Sequence, residues 1–221
     1  LFATMTPEAF AVKEKLSPER FDQQLIDAKK RLLEQRNKRV RPDTDSKILC
    51  GWNALMLTGY LDAYVAIGNA DYLSRAIKCA SFLENKLLDK QGHLFRNYEV
   101  DKPAVPGFLD DYALLSKACI RLYQVTFDKH WLDLARRLND YALENFYDKT
   151  AGLFFYTPSN AQALAVRKME LSDAVIPSSN SIMCGVLHDL GVYFENADYS
   201  NKSADMLNKV MMSAKEKPQY Y

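Results

Sequence analysis

Apolar and polar residues follow two rhythms along this chain, and the rhythms recur. Segments 52–67, 112–127 and 182–194 are apolar nearly all the way round a helix. Each is followed, after a short break, by a segment with one apolar stripe. In the middle copy the stripe is Trp131, Leu134, Ala135, Leu138, Ala142 and Phe146, while Asp133, Arg136, Arg137, Asp140 and Glu144 take the opposite face. A helix that is apolar on every side must be surrounded, whereas a striped helix can face water. The alternation predicts inner helices wrapped by outer ones, and the short breaks predict antiparallel hairpins.

The segments also repeat as sequence. "YLSRAIKCASFLENKLLDKQGHLFRNY" from Tyr72 aligns with "WLDLARRLNDYALENFYDKTAGLFFYT" from Trp131 at an offset of 59 residues. The same offset carries Ala54-Leu55 onto Ala113-Leu114 and Tyr64 onto Tyr123. A third copy lies 127 residues from the first, where "NADY" at 69–72 recurs at 196–199 and Asn53 maps onto Asn180. The fold class expected is therefore all-α, an α/α toroid of hairpin repeats near 50–88, 108–147 and 178–214 within one partial toroid domain spanning 1–221. A leading helix starts at Ser17-Pro18-Glu19, with Ser as N-cap and Pro in the first turn, and runs to about Asn37. A shorter helix near Thr6-Pro7-Glu8 precedes it. Arg31, Arg36, Lys38, Arg39 and Arg41 gather at the end of the leading helix, as a solvated terminus or as a contact for an anionic group. Three hairpins and a leading helix make an arc, since a six-hairpin ring needs twelve helices. Loops 89–107 and 148–177 carry short alternating aromatic stretches, "HLFRNY" and "GLFFYT", which predict small β-hairpins.

Composition narrows the function classes. The 221 residues carry 29 Lys and Arg against 28 Asp and Glu, a formal net charge of +1, so the basic excess of a nucleic-acid or membrane-surface protein is missing. No apolar run reaches the ~18 residues of a membrane span. The chain begins with Leu, and no leader pattern follows, so it reads as cut from something longer. Cys50, Cys79, Cys119 and Cys184 stand far apart without a CxxC pair. They are expected to be reduced core residues, which points to a cytoplasmic location. His93, His130 and His188 form no metal set, and His188, midway along an inner helix, is expected in the core. No metal and no cofactor is expected, and phosphate-loop, dinucleotide, zincin and nucleophile-elbow motifs do not occur.

Polar residues collect instead where the inner helices start. The first copy supplies Asp43, Asp45, Lys47, Trp52 and Asn53, the second Asp110, Asp111 and Tyr112, and the third Asp173, Ser178, Asn180 and Ser181. Equivalent positions in a repeat should lie at one end of the ring, around the mouth of its cavity. Asp110, Asp111 and Asp173 are the candidate acid/base groups. Asp45, Trp52, Asn53, Tyr112, Ser178, Asn180 and Ser181 are the candidate substrate contacts, because aromatic faces stack on sugar C–H surfaces and carboxylates and amides hold hydroxyls. Hydrolysis would need two carboxyls roughly 5–5.5 Å apart for retention or 6.5–9.5 Å for inversion. The competing explanation is structural. Asp, Ser and Asn are the preferred N-caps, and Trp52-Asn53 could be core packing with one satisfied amide.

The motifs "RPDTDSKILCGWNALM", "GFLDDYALL" and "DAVIPSSNS" resemble the conserved blocks of the YyaL/spermatogenesis-associated protein 20 family, in order and spacing from about Arg31 onward. The resemblance implies a six-hairpin glycosidase-like toroid behind a thioredoxin-like domain, related in fold to N-acylglucosamine 2-epimerases. It implies that this chain is an internal piece, so that the rest of the toroid and the thioredoxin-like domain belong to the full-length protein. Where the family reads Ser-Gly-Asn and Trp-Asn-Gly, this chain has Ser178-Ser179-Asn180 and Trp52-Asn53-Ala54. Two functions stay open. One is a carbohydrate-binding or carbohydrate-processing domain with a saccharide partner; whether it is an enzyme is undecided. The other is a non-catalytic scaffold accompanying the redox domain. An arc also leaves helix faces on which a second copy could pair.

Overall fold

The structure is a computed structural model that describes residues 4–102, 104–160 and 166–220. Part of loop 148–177, residues 161–165, lies outside the described residues. The chain divides into two compact units, Leu1–Asp45 and Ser46–Tyr221.

The first unit holds α1 (Pro7–Lys13) and α2 (Pro18–Asn37). Both begin as the sequence predicts. Thr6 Oγ1 accepts from Ala9 N–H and Ser17 Oγ from Arg20 N–H, each with a proline in the first turn. The Phe10 and Phe21 rings meet at 5.9 Å. No residue of α2 is buried, and its basic end lies exposed.

The second unit is built from α3 (Cys50–Ile67), α4 (Ala70–Leu87), α5 (Leu109–Thr126), α6 (Lys129–Asn145), α7 (Ser179–Tyr193) and α8 (Ala197–Glu216). They pack as the hairpins α3/α4, α5/α6 and α7/α8, with α5 between α3 and α7. The fully apolar segments are thus the inner helices and the striped ones their outer partners. The middle inner helix is the most enclosed. Leu109, Tyr112, Ala113, Leu115, Ala118, Cys119 and Leu122 of α5 are buried, and its partner α6 buries the predicted stripe from Trp131 to Ala142. Each hairpin turns the same way. A left-handed residue (Gly68, Phe127 or Glu195) precedes an Asn or Asp whose side chain caps the outer helix. The three inner helices also share polar positions. Arg121 Nε of α5 donates to Asp62 of α3 at 2.9 Å, and Gln124 of α5 donates to Tyr193 of α7 at 3.1 Å. His188 lies on this exposed side of α7, not in the core, because Met183, Val186, Leu187 and Leu190 are the α7 residues that turn inward.

At the opposite end of the hairpins the loops form short strands. β3 (Tyr147–Asp148) and β4 (Leu153–Phe154) make the local hairpin expected of "GLFFYT". The "HLFRNY" segment bridges locally, Leu94 to Leu88, and its strand β2 (Asn97–Tyr98) also pairs antiparallel with β1 (Ile48–Leu49) just ahead of α3, so the expected local turn is joined by a tie between distant segments. Two further links fix this loop. Gly107 N–H donates to Leu94 O at 2.7 Å, and Leu94 N–H donates to Tyr112 Oη at 2.8 Å. A Cβ on Gly107 would stand 2.8 Å from Leu94 O, and that oxygen is backbone and cannot yield. Gly107→Ala is therefore expected to lower stability by about 1–3 kcal/mol in urea denaturation.

Candidate functional site

The start of α5 explains both carboxylates of "LDDY". Asp111 is buried, with 1% of its surface exposed. One of its oxygens accepts from Gly51 N–H at 3.0 Å, in the first turn of α3. The other accepts from Phe108 N–H at 3.1 Å and from Arg96 Nη1 at 3.0 Å. Asp111 thereby caps its own helix and bolts the first hairpin to the second. Asp110 is half-buried. It accepts from Asp111 N–H at 3.1 Å and faces the same Arg96 nitrogen at 3.1 Å. Arg96 is positioned by its backbone, which accepts from Cys50 N–H and donates to Val105 O, both at 2.8 Å. Phe108 and Tyr156 close over the cluster, with ring centroids 5.2 Å apart.

Burial, and then the Asp110 charge, push the Asp111 pKa up to about 6, against the pull of Arg96 and two N–H groups. Burial works against the charge on Arg96, but Asp111 and Asp110 outweigh it and hold its pKa above the ordinary range. Burial and Asp110 likewise raise Tyr156. Two carboxyls on one guanidinium, one of them titrating near neutrality, can hold a proton on one and a charge on the other.

The start of α7 is organised differently. Asp173 accepts from Ser178 N–H at 2.8 Å, Glu170 from Ser179 N–H at 3.0 Å, and Ser178 Oγ from Ser181 N–H at 3.2 Å. Asn180 is buried and uses its whole amide on backbone. It accepts from Phe154 N–H at 2.8 Å and donates to Phe154 O and Glu170 O, both at 2.9 Å. Asp173, Ser178 and Asn180 thus hold the 148–177 loop to α7. Asn180 and Ser181 border an apolar groove of about 210 Å³ with Leu153, Cys184 and Met206.

The remaining candidates separate. Trp52 is 58% exposed and is not core. It shares a narrow cleft of about 10 Å³ with Leu55, Arg96, Asp110, Leu114 and Ile176. Asn53 donates to Leu49 O at 2.8 Å and borders an open cavity beside Lys78 and Phe82. Tyr112, expected as a stacking surface at a mouth, is buried instead. Its ring lies parallel to Tyr141 at 5.0 Å and packs on Phe146. Asp45 belongs to the first unit. The single basin expected from repeat equivalence therefore resolves into several cavities, and the one joining Trp52, Asp110 and Asp111 carries the candidate chemistry. Arg96, Tyr156 and Glu170 complete these clusters. All three lie in loops without helical periodicity; the aromatic stretches "FRNY" and "FFYT" mark Arg96 and Tyr156, and no such stretch marks Glu170. Among the described residues no group of three or more His, Cys, Asp or Glu is arranged to hold a metal ion.

The fold is that of the α/α toroids found among glycosidases and sugar epimerases. The chain matches a GH76 α-mannanase of Bacteroides thetaiotaomicron at a TM-score of 0.61 and 20% identity, over 76% of this chain and 45% of that one. It matches a cellobiose 2-epimerase of Bacillus thermoamylovorans equally at 0.61 and 15% identity, over the same shares. By sequence the chain is similar to spermatogenesis-associated protein 20, in line with the resemblance of its motifs. It is 30% identical to the Homo sapiens protein over 187 residues, 80% of this chain and 24% of that protein. It is also 30% identical over 207 residues to an uncharacterized Caenorhabditis elegans protein, 90% of this chain and 28% of that one. The chain thus spans about a quarter of the length of the curated relatives it matches. No protein-family model matches it.

The raised Asp111 pKa has a signed consequence for stability. The folded chain holds this proton more tightly than the unfolded chain, whose carboxyl titrates near 3.8. The resulting stabilisation is complete below about pH 4 and lost as pH rises through about 6, a change of at most about 3 kcal/mol. Urea denaturation between about pH 4 and pH 7 should show this slope in the wild type and not in Asp111→Asn.

Proposed function

We propose that the second unit is part of a carbohydrate-binding toroid whose contact with sugar is the Trp52–Asp110 cleft. The observation that carries this is an indole left 58% exposed beside a half-buried carboxylate, on a fold shared with a mannanase and a cellobiose 2-epimerase. An exposed Trp offers a sugar's C–H face an apolar platform, and Asp110 and Arg96 offer its hydroxyls an acceptor and a donor. If a reaction follows, Asp110 is the group that meets substrate. Asp111, already bonded to two backbone N–H groups, sets the charge of its neighbour. The whole protein would add the remainder of the ring and a thioredoxin-like domain.

One observation favours a second reading, that of a scaffold accompanying a redox domain. Asp111, Asp173, Ser178 and Asn180 all serve backbone groups. On this reading Asp111→Ala lowers stability and no saccharide changes the result.

Calorimetry of the intact protein against a panel of neutral mono- and disaccharides separates the two. Trp52→Ala and Asp110→Asn should each weaken the binding of any saccharide that binds by about tenfold or more, equivalent to about 1.4 kcal/mol, with the melting temperature little changed. Unaltered affinity in both variants, or no saccharide binding at all, leaves the scaffold reading standing.

A further inference from the structure

A second cavity lies away from the Trp52–Asp110 cleft, where loop 89–107 crosses the start of α5 and the end of α6. It has a volume of about 270 Å³, and its walls include Tyr141, Phe95, Pro106 and Pro158, with His93 and Asn160 as polar groups. The walls are fixed. Tyr141 is stacked flat on Tyr112 with an interplanar angle of 5°, Tyr112 Oη takes the Leu94 N–H, and Gly107 admits no side chain beneath Leu94 O.

His93 is fixed as well. Asp89 Oδ1 accepts from Gln91 N–H and His93 N–H, both at 2.9 Å, and Asp89 Oδ2 stands 2.8 Å from His93 Nδ1. Burial works against the Asp89 charge, but those N–H groups and the ring hold its pKa below the ordinary value. A carboxylate at Nδ1 places a ring proton there and leaves Nε2 as the ring nitrogen for a ligand. The ring is held edge-on to Tyr141 at 5.5 Å and 82°.

We propose that this cavity binds one neutral sugar ring as a site separate from the Trp52–Asp110 cleft. The ring's C–H face would lie on the aromatic and proline wall, and its hydroxyls would meet His93 Nε2 and the Asn160 amide. The size suits a single ring. Among the described residues no lysine or arginine lines the cavity, so an anionic ligand finds no lysine or arginine counter-charge there, and the carboxylate on His93, Asp89, is already paired. The proposal stands on residues that the Trp52–Asp110 reading does not use, and either can fail alone.

This 221-residue chain has three histidines, His93, His130 and His188, so the His93 imidazole signals can be assigned by single replacements and followed by NMR in the chain itself. D-glucose and D-mannose are the probes, with phenol as a flat, non-sugar ring. A saturable shift of the His93 signals with either sugar is expected. Its apparent Kd should rise about tenfold in Asn160→Ala, an exposed position whose change leaves the fold intact, and should be unchanged in Asp110→Asn. No saturable shift with either sugar, a shift with phenol alone, or a shift abolished by Asp110→Asn would each overturn the proposal.

Discussion

A first-turn N–H group buried at the start of an inner helix cannot turn to water, and this constraint organises the second unit. The outer helices α4, α6 and α8 face solvent and are capped locally, by Asn69, Asp128 and Asn196. The inner helices also draw on distant partners: for α3 Arg96 O and Asp111, for α5 Tyr156 O beside its own Asp110 and Asp111, and for α7 Asp173 and Glu170 beside its own Ser178. Carboxylates accumulate at one end of the hairpins because that end is where buried donors go unmet. The same surroundings that require Asp111 as a cap also desolvate it and raise its pKa. Capping and acid/base potential are thus two outcomes of one placement.

That double outcome explains how much of the molecule was legible in advance. The hairpins, their inner and outer roles, the proline-started α1 and α2 and the local β3/β4 hairpin follow from periodicity and capping chemistry, which act over a few residues. The β1/β2 tie joins Ile48 to Tyr98, and no local signal announces a pairing across such a separation. The candidate residues were legible as a set of polar positions but not as a site. Repeat equivalence places Asn53, Tyr112 and Asn180 at matching points of their helices. It does not say that Asn180 turns to Phe154 while Tyr112 turns to Tyr141. Arg96, which gathers Asp110 and Asp111, sits in a loop whose course depends on all of the packing around it.

The two cavities proposed to meet sugars share a wall of loop 89–107, with Arg96 on one side and His93 on the other. Asn97 Oδ1 accepts from Val105 N–H at 2.9 Å and ties two parts of the loop together.

The hairpin turns carry a last implication. Each is two or three residues long and ends on an Asn or Asp cap, so its geometry admits little change in length. Loops 89–107 and 148–177, at the other end, have no such restriction. A fold assembled by copying this hairpin would keep one rim invariant as a mechanical base and leave the other free to acquire new loops, so differences in chemistry between descendants should accumulate on a single rim.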